Sequence, residues 1–418
     1  MNCGAKSFDF YFFLMYNKKR GDSRMYKRRF YLDQILKYKD TEFIKVITGV
    51  RRSGKTYLLN SFKTELLTAG IEEKNIFSIS FESYAKREYR KSEKLYDLIL
   101  EQMPSDERVY FIFDEIQMLE NWQDVINSLR IDFDSDIYVT GSNAAILSGE
   151  LATLLSGRYV QIEVLPLSFK EYLEFKESDL SIEERFFEYL EEGGFPAPLK
   201  MQDHHTKSMV MSDLFNTILY KDIAMRAKLT NEEVLVRVVD YLLDNIGNTI
   251  SANKISNVMK NEKINVSTHT VDKILSYLES AYLFYRAARY DIRGKERLKT
   301  LGKYFVVDTG LRNNRLTKTY HDNMGSQIEN VVYLELKRRG YQIFVGKYDD
   351  YEIDFIAYKK DDIKYYQVTR QMPEGTREED NLLRIPTNYE KTIITGNRMD
   401  VGNIAGIKIQ YITDFLLE

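Results

Sequence analysis

The chain has 418 residues, 44% of them hydrophobic and 13% aromatic, which excludes wholesale disorder and, at roughly 150 residues per domain, suggests about three domains rather than one small fold. Sixty Lys and Arg stand against 63 Asp and Glu, a net charge of −3, so a global basic field for coating nucleic acid is excluded and any such surface must be local.

In chain order, residues 1–24 read as a tail or an over-extended start, because Met15 and Met25 both offer starts and patterned sequence begins near Tyr26. The apolar run Phe8 to Met15 contains Asp9, falls short of the roughly 20 residues of a membrane span, and has no small-residue cleavage site after it, so neither anchor nor signal is expected. Cys3 is the only cysteine; a disulfide framework is excluded, and a reducing cytoplasm is the simplest location.

From 25 to 227, short β-rich runs alternate with helical ones, the pattern of a parallel sheet with crossover helices. The expected strands are Phe43 to Thr48, Ile76 to Ser80, Val109 to Phe113 and Ile137 to Thr140. From 228 to 302 the order is helix, helix, helix, hairpin, which is the order of a winged helix. Val234, Val238 and Leu242 mark the first helix, Ile250 to Lys260 the second, and Val271, Ile274, Leu275 and Leu278 the third; Leu283 to Arg289 and Arg297 to Thr300 form the hairpin. From 303 to 418, a helix near Gln327 to Arg339 stops at Gly340. Strands at Tyr341 to Val345, Tyr351 to Tyr358, Ile363 to Thr369, Thr392 to Thr395 and Ile407 to Ile412 then suggest the mixed sheet of a small α/β domain.

Gly49-Val-Arg-Arg-Ser-Gly-Lys-Thr56 fits G-x-x-x-x-G-K-[ST], directly after a predicted strand and directly before a predicted helix. In such a loop the glycines let backbone N–H groups, here of Gly49, Arg52, Ser53 and Gly54, turn toward phosphate oxygens. Lys55 would contact the outer phosphates, and Thr56 with Asp114, at the end of the strand from Val109, would hold Mg²⁺. Glu115, one residue beyond, is placed to polarise a water for attack on the terminal phosphate of ATP. Ser142 and Asn143 follow another strand end and are candidates either for sensing that phosphate or for capping a helix near Ala144. Arg158 is a candidate phosphate ligand, in cis or in a neighbouring subunit, or a surface ion pair.

These stretches, with Thr140-Gly-Ser142, Leu155-Ser-Gly-Arg158, Pro166-Leu-Ser-Phe169, Gly193-Gly-Phe-Pro196 and Asp308-Thr-Gly-Leu311, resemble prokaryotic AAA+-type ATPases of the AAA_14 kind with a C-terminal domain of unknown function, DUF4143. The resemblance covers nearly everything from Tyr26. It implies an α/β P-loop core, a winged-helix segment and a C-terminal α/β domain resembling the PD-(D/E)xK nuclease fold, with ATP binding and hydrolysis. In that nuclease fold a helix glutamate, a strand aspartate and a following (Asp/Glu)-x-Lys hold a divalent ion. Glu329, Asp354 and Gln367-Val-Thr369 occupy the matching places, with Glu352 on the same strand face as Asp354. Thr369 stands where lysine belongs and Gln367 where a carboxylate belongs, so a degenerate fold used for binding is expected ahead of an active nuclease. Family members of this type often complete one subunit's site with a neighbour's arginine, which leaves a homo-oligomer open.

Arg286, Arg289, Arg293, Lys295, Arg297, Lys299 and Lys303 form a basic strip along the predicted hairpin, interrupted only by Asp291 and Glu296. On a wing such residues would contact DNA phosphates. The third helix offers His269, Thr270 and Lys273 but also Asp272 and Glu279, so a module packing between domains or against a protein partner stays open beside DNA binding. The leading expectation is a Mg²⁺-dependent ATPase that couples nucleotide state to rearrangement of the later domains. Two others stand beside it: a nucleotide-gated switch or scaffold, and an ATP-regulated nuclease.

Overall fold

The computed structural model describes residues 26–104, 106–147, 157–225, 231–294, 296–360, 362–373 and 378–418; the tail expected at 1–24 lies outside them. Helix α1 (Arg29–Lys37) leads into β1 (Ile44–Thr48), the loop 49–54 and α2 (Lys55–Thr68). Then come β2 (Ile76–Ser80), α3 (Ser92–Gln102), β3 (Val109–Asp114), α4 (Trp122–Asp132), β4 (Ser135–Gly141) and β5 (Tyr159–Glu163). The five strands are all parallel, in the order β2-β3-β4-β1-β5.

Alternate residues of the central strands enter different cores, as a two-residue period requires. Val109, Phe111 and Phe113 of β3 join Val46 and Val139 under α3 and α4, where Ile99, Ile126 and Leu129 meet them. Tyr110 and Ile112 join Ile47, Leu58 and Phe62 on the α2 side. Burial on both faces is why these strands read as continuous apolar runs. Edge strand β5 was not anticipated: only Ile162 of its five residues is buried, so Gln161 and Glu163 dilute its pattern.

Helices α5 (Phe169–Phe175) and α6 (Ile182–Glu192) each begin with a reciprocal capping box, Ser168 with Glu171 and Ser181 with Glu184. Helix α7 (His204–Asn216) runs directly into a π-helical turn, Thr217–Ala224. Next are α8 (Glu232–Asp244), β6 (Thr249–Ile250), α9 (Ala252–Asn261), α10 (Thr268–Ser280), β7 (Phe284–Asp291) and β8 (Glu296–Val306). The remainder is α11 (Thr309–Leu316), α12 (Met324–Arg338), β9 (Gln342–Tyr348), β10 (Tyr351–Lys359), β11 (Asp362–Thr369), α13 (Glu378–Leu383), β12 (Glu390–Thr395), β13 (Gly402–Ile404), β14 (Ile407–Tyr411) and α14 (Ile412–Leu417).

The hairpin β7–β8 is part of a nine-stranded sheet ordered β13-β14-β12-β11-β10-β9-β7-β8-β6, with β7 running parallel to β9. The boundary expected between 302 and 303 therefore falls inside β8. Gly302 marks an irregularity in that strand: the register shifts beside Ala288, and a Cβ at Gly302 would lie 2.8 Å from the Ala287 carbonyl oxygen. A large core runs through this half, drawing Phe169 and Phe186 from α5 and α6, Leu242 from α8, Phe305 from β8, Val332 from α12 and Phe415 from α14, while a smaller one of Ile353, Tyr365, Leu382, Ile393 and Ile409 lies under α13.

Two of the quoted motifs meet in space. Asp308 caps α11 by accepting the Leu311 N–H at 2.8 Å and also accepts the Gly194 N–H at 2.6 Å. A Cβ at Gly193 would lie 2.0 Å from the Asp308 carboxylate, and one at Gly310 2.2 Å from the Glu192 carbonyl oxygen, so both close approaches require glycine. Burial pushes the Asp308 pKa up to about 6 against the backbone donors that favour its charge.

Candidate nucleotide site

In a parallel sheet the loops after the strands converge at the carboxyl edge, and here the loops after β1, β3 and β4 meet there. Gly49 (φ 135°) and Gly54 (φ 102°) take left-handed backbone, and a Cβ at Gly49 would lie 2.2 Å from the Val164 carbonyl oxygen. Arg52 is also left-handed (φ 61°), with its side chain exposed. Gly54 directly precedes α2, whose first N–H groups have no acceptor within the helix. The buried Lys55 ammonium donates to the Gly49 and Val50 carbonyls at 2.8 and 3.0 Å. Burial lowers the Lys55 pKa, with Glu115 and Asp114 opposing. Ser53 is buried and its Oγ has no hydrogen-bond partner, an orphaned polar atom inside a loop that is otherwise tightly folded.

Asp114 sits at the end of β3, flanked by β2 and β4, and both neighbours supply hydroxyls. Ser80, its register partner, donates at 3.1 Å, Thr140 at 2.7 Å, and Thr56 from α2 approaches the two carboxylate oxygens at 3.1 and 3.0 Å. Mg²⁺ dehydrates reluctantly, so its protein sites supply one or two oxygens and leave the rest to water and phosphate. The Thr56 hydroxyl and the Asp114 carboxylate fit that donor set. Among the described residues, no three His, Cys, Asp or Glu are arranged to hold an ion by themselves.

Glu115 takes left-handed backbone (φ 54°), which turns its side chain away from the strand direction; its N–H is held by Thr140 Oγ1 at 2.9 Å. Its carboxylate accepts from the Gln117 amide and, at 3.4 Å, from the Ser142 hydroxyl. Burial pushes the Glu115 pKa up, with Lys55 opposing, a combination that strengthens it as a base. Ser142 and Asn143 are buried beside it, and Ala144–Leu147, the last described residues before 157, form a 3₁₀ turn.

Arg158 does not join this group. It precedes Tyr159, the register partner of Ile44, whereas the loop follows Thr48 at the other end of β1, roughly 16 Å away along the strand. The cis role is thereby corrected: parallel pairing puts Arg158 at the amino edge of the sheet.

Several residues here escaped the sequence reading. Ser80 and Thr140 could have been found, since small hydroxyl residues at two more predicted strand ends are a signal. Arg28 left none. Buried just ahead of α1, it donates to the Ser53 carbonyl of the loop at 2.8 Å and to the Leu165 carbonyl at 2.9 Å, and pairs with both Glu171 oxygens at 2.8 and 2.7 Å. Arg51, rather than Arg52, is the loop arginine with partners: Asp222 of the π-helical turn and Glu82.

At the second candidate site, Glu329, Glu352 and Asp354 gather around one ammonium. Lys303 of β8 donates to Glu329 and Asp354 at 2.8 and 2.9 Å and lies 3.1 Å from Glu352 as an ion pair. Burial opposes the lysine's charge, but Asp354, Glu329 and Glu352 outweigh it and hold its pKa well above the ordinary value. Three carboxylates facing one cation leave a surplus, and burial together with Asp354 pushes Glu329 up to about 8. Gln367 lies beside the cluster, its carbonyl oxygen 3.4 Å from the Asp354 N–H. Lys303, the cation these carboxylates face, lies 66 positions before Thr369 in the chain.

Where it is described, the basic strip faces carboxylates, and of its residues Lys303 is buried while Arg293 is exposed. Arg289 is 4.0 Å from Glu352, and Arg293 pairs with Asp349 at 2.8 Å. Arg286 lines a cavity of about 380 Å³ with Glu279, Asp272 and Tyr304. The side chains of Lys295, Arg297 and Lys299 lie outside the described residues. Ala144, just beyond β4, lines the same cavity, so α10 sits beside the loops of the parallel sheet.

An AAA-domain model, AAA_14, matches residues 41–173, the segment that builds this carboxyl edge. An uncharacterized protein of Haemophilus influenzae is 47% identical over 398 residues, covering 94% of this chain and 99% of that one. The chain belongs to its family. An uncharacterized protein of Methanocaldococcus jannaschii is 30% identical over 371 residues, covering 84% of this chain and 78% of its own. The second matched model is DUF8612, a domain of unknown function, over residues 183–322, from α6 past α11; it is not the DUF4143 domain expected at 303–418. Among solved structures, a Walker-type ATPase of Pyrococcus abyssi is 15% identical with a TM-score of 0.48, covering 69% of this chain and 95% of that one. AMPPCP-bound DnaA from Aquifex aeolicus is 14% identical with a TM-score of 0.29, covering 59% and 85%. No described helix is long and apolar enough to cross a membrane.

Proposed function

We propose that this AAA-domain protein is a Mg²⁺-dependent ATPase whose nucleotide state is transmitted to the half of the chain built on the nine-stranded sheet. One observation carries the reading: Thr56 and Asp114 meet at 3.0 Å directly beside a phosphate-shaped loop, with Glu115 one residue on. Mg²⁺–ATP, when bound, supplies the labile phosphoanhydride and neutralises its developing charge. The loop N–H groups and the buried Lys55 ammonium orient the outer phosphates, and Ser53 Oγ offers a further donor. Thr56 and Asp114 hold the metal, and Glu115 accepts the proton of the attacking water. Ser142 links the Glu115 carboxylate to the end of β4, and Asn143 follows it as a candidate phosphate sensor.

Residues 228–302, within the DUF8612 segment, are read as a winged-helix module whose wing has become part of a larger sheet. Its described arginines face carboxylates, which favours packing between protein parts over DNA contact. The C-terminal α/β module, nuclease-like in its ordering of Glu329 and Asp354, is read as a binding module, because Lys303 already supplies the positive charge among its carboxylates. A location in the cytoplasm and assembly into oligomers, with Arg158 facing a neighbour, belong to the same reading.

Phosphate release from Mg²⁺–ATP tests the function, comparing wild type, Glu115→Gln and Lys55→Ala with and without DNA. Glu115→Gln is expected to keep nucleotide and to lose about 10²–10⁴-fold in turnover, the usual worth of a general base. Lys55→Ala is expected to lose binding. Full turnover in both variants would remove the assignment. Absent turnover, with nucleotide-dependent protease sensitivity, would favour the switch.

A further inference from the structure

Arg51 lies in the middle of the loop Gly49–Thr56, yet its side chain makes its bonds elsewhere. Nε and Nη2 take the two oxygens of Asp222 at 2.9 and 3.2 Å, and Nη1 reaches Glu82 at 3.1 Å. Asp222 is buried and belongs to the π-helical turn Thr217–Ala224, within the segment matched by the domain of unknown function. A π turn is rare because its packing is poor, and it persists where the placement of one side chain matters. Here it delivers a carboxylate to the loop. A two-pronged guanidinium–carboxylate pair fixes the plane of the arginine as well as its position. Lys55 lies in the field of both Arg51 and Asp222, and Arg51 in that of Glu115, so the pair borders the phosphate cradle.

We propose that Arg51 and Asp222 form a pair that reads the terminal phosphate: the γ-phosphate of a nucleoside triphosphate competes with Asp222 and Glu82 for the Arg51 guanidinium. The π-helical turn then registers whether a triphosphate or a diphosphate is bound. This rests on the ATP-binding reading and adds to it a site residue contributed by the 183–322 segment. A ligand shifts such an equilibrium only through its differential affinity for the two arrangements, and the γ-phosphate is the group that differs.

The test uses the full chain, a fluorescent non-hydrolysable ATP analogue and fluorescent ADP. Arg51→Gln is expected to weaken the triphosphate about tenfold, the worth of one charge-assisted contact, and to leave ADP unchanged. Asp222→Asn removes the competitor's charge and is expected to strengthen the triphosphate several-fold, again without moving ADP. A purely structural pair would change both nucleotides in the same direction in both variants. That result, or an unaltered ratio of triphosphate to diphosphate affinity, overturns the proposal. Should either variant fail to fold, hydrogen exchange of residues 217–224 in the wild type decides: faster exchange with the triphosphate analogue than with ADP is expected, and equal exchange overturns it. If the wild type binds neither nucleotide, the ATP reading falls and takes this one with it. If it binds both and Lys55→Ala abolishes binding, only the behaviour of Arg51 and Asp222 is at stake.

Discussion

Thr140 donates its hydroxyl proton to the Asp114 carboxylate at 2.7 Å while the same oxygen accepts the Glu115 N–H at 2.9 Å. One side chain on β4 thus sets the orientation of both acidic residues at the end of β3. Thr140→Val keeps the shape and removes both bonds. It is expected to cost about 1–3 kcal/mol, the penalty of stranding buried polar groups, and to lower turnover more than nucleotide affinity. Urea denaturation and single-turnover kinetics check the two parts.

Arg28 ties the loop to the chain beyond β5, and its partner Glu171 also closes the capping box of α5. Truncation to Arg28→Ala leaves Glu171 buried without its cation, a loss on the order of 3–5 kcal/mol. The double variant Arg28→Met with Glu171→Gln should recover much of that loss. If the single and double variants unfold at the same denaturant concentration, the ion pair is not what holds this junction.

Around Lys303, removing the cation matters more than removing any one anion. Lys303→Met is expected to destabilise by about 3–5 kcal/mol, since the buried Asp354 and Glu329 then lose their cation. Adding Glu329→Gln should restore part of it, and a calorimetric comparison of the single and double variants measures the coupling.

Among the raised carboxyls, Glu329 and Asp308 give stability a defined pH window. Glu329 holds its proton in the folded chain up to about pH 8, and Asp308 up to about pH 6, whereas the unfolded chain releases both in the ordinary acid range. The stabilisation from each is fully present below its unfolded pKa and is lost as pH rises through its folded value. Stability should therefore fall between about pH 5 and pH 8. Glu329→Gln should flatten that slope across the whole window and Asp308→Asn only its part below about pH 6, as read from thermal unfolding across the range.

The loop at Gly49–Thr56 and the strand ending in Asp114 were legible because their chemistry is local: a motif of eight residues and a continuous apolar run each announce themselves. Strand β5 was not, since an edge strand buries too little to leave a pattern. Arg28 and Lys303 were illegible for another reason. Each acts on partners far away in sequence, 143 residues in the case of Glu171 and 51 in that of Asp354, and a lone basic residue looks the same whether it faces solvent or a buried carboxylate. The hairpin was seen, but its fusion with the C-terminal sheet depends on the pairing of β7 with β9, which nothing in either strand's own composition encodes.

That pairing bears on how the polypeptide acquires its shape during synthesis. The five parallel strands lie within residues 44–163, and their connections are short enough for the nucleotide-binding half to form while translation continues. The other half has no such freedom. Its sheet joins strands between residues 249 and 411, and its core includes Phe415 of α14 packed with Phe169 and Phe186. Helices α5 to α12 must wait, partly assembled, for the final helix to leave the ribosome. Contacts of such long range are slow to form, and the waiting apolar surface is where a chaperone would engage the nascent chain.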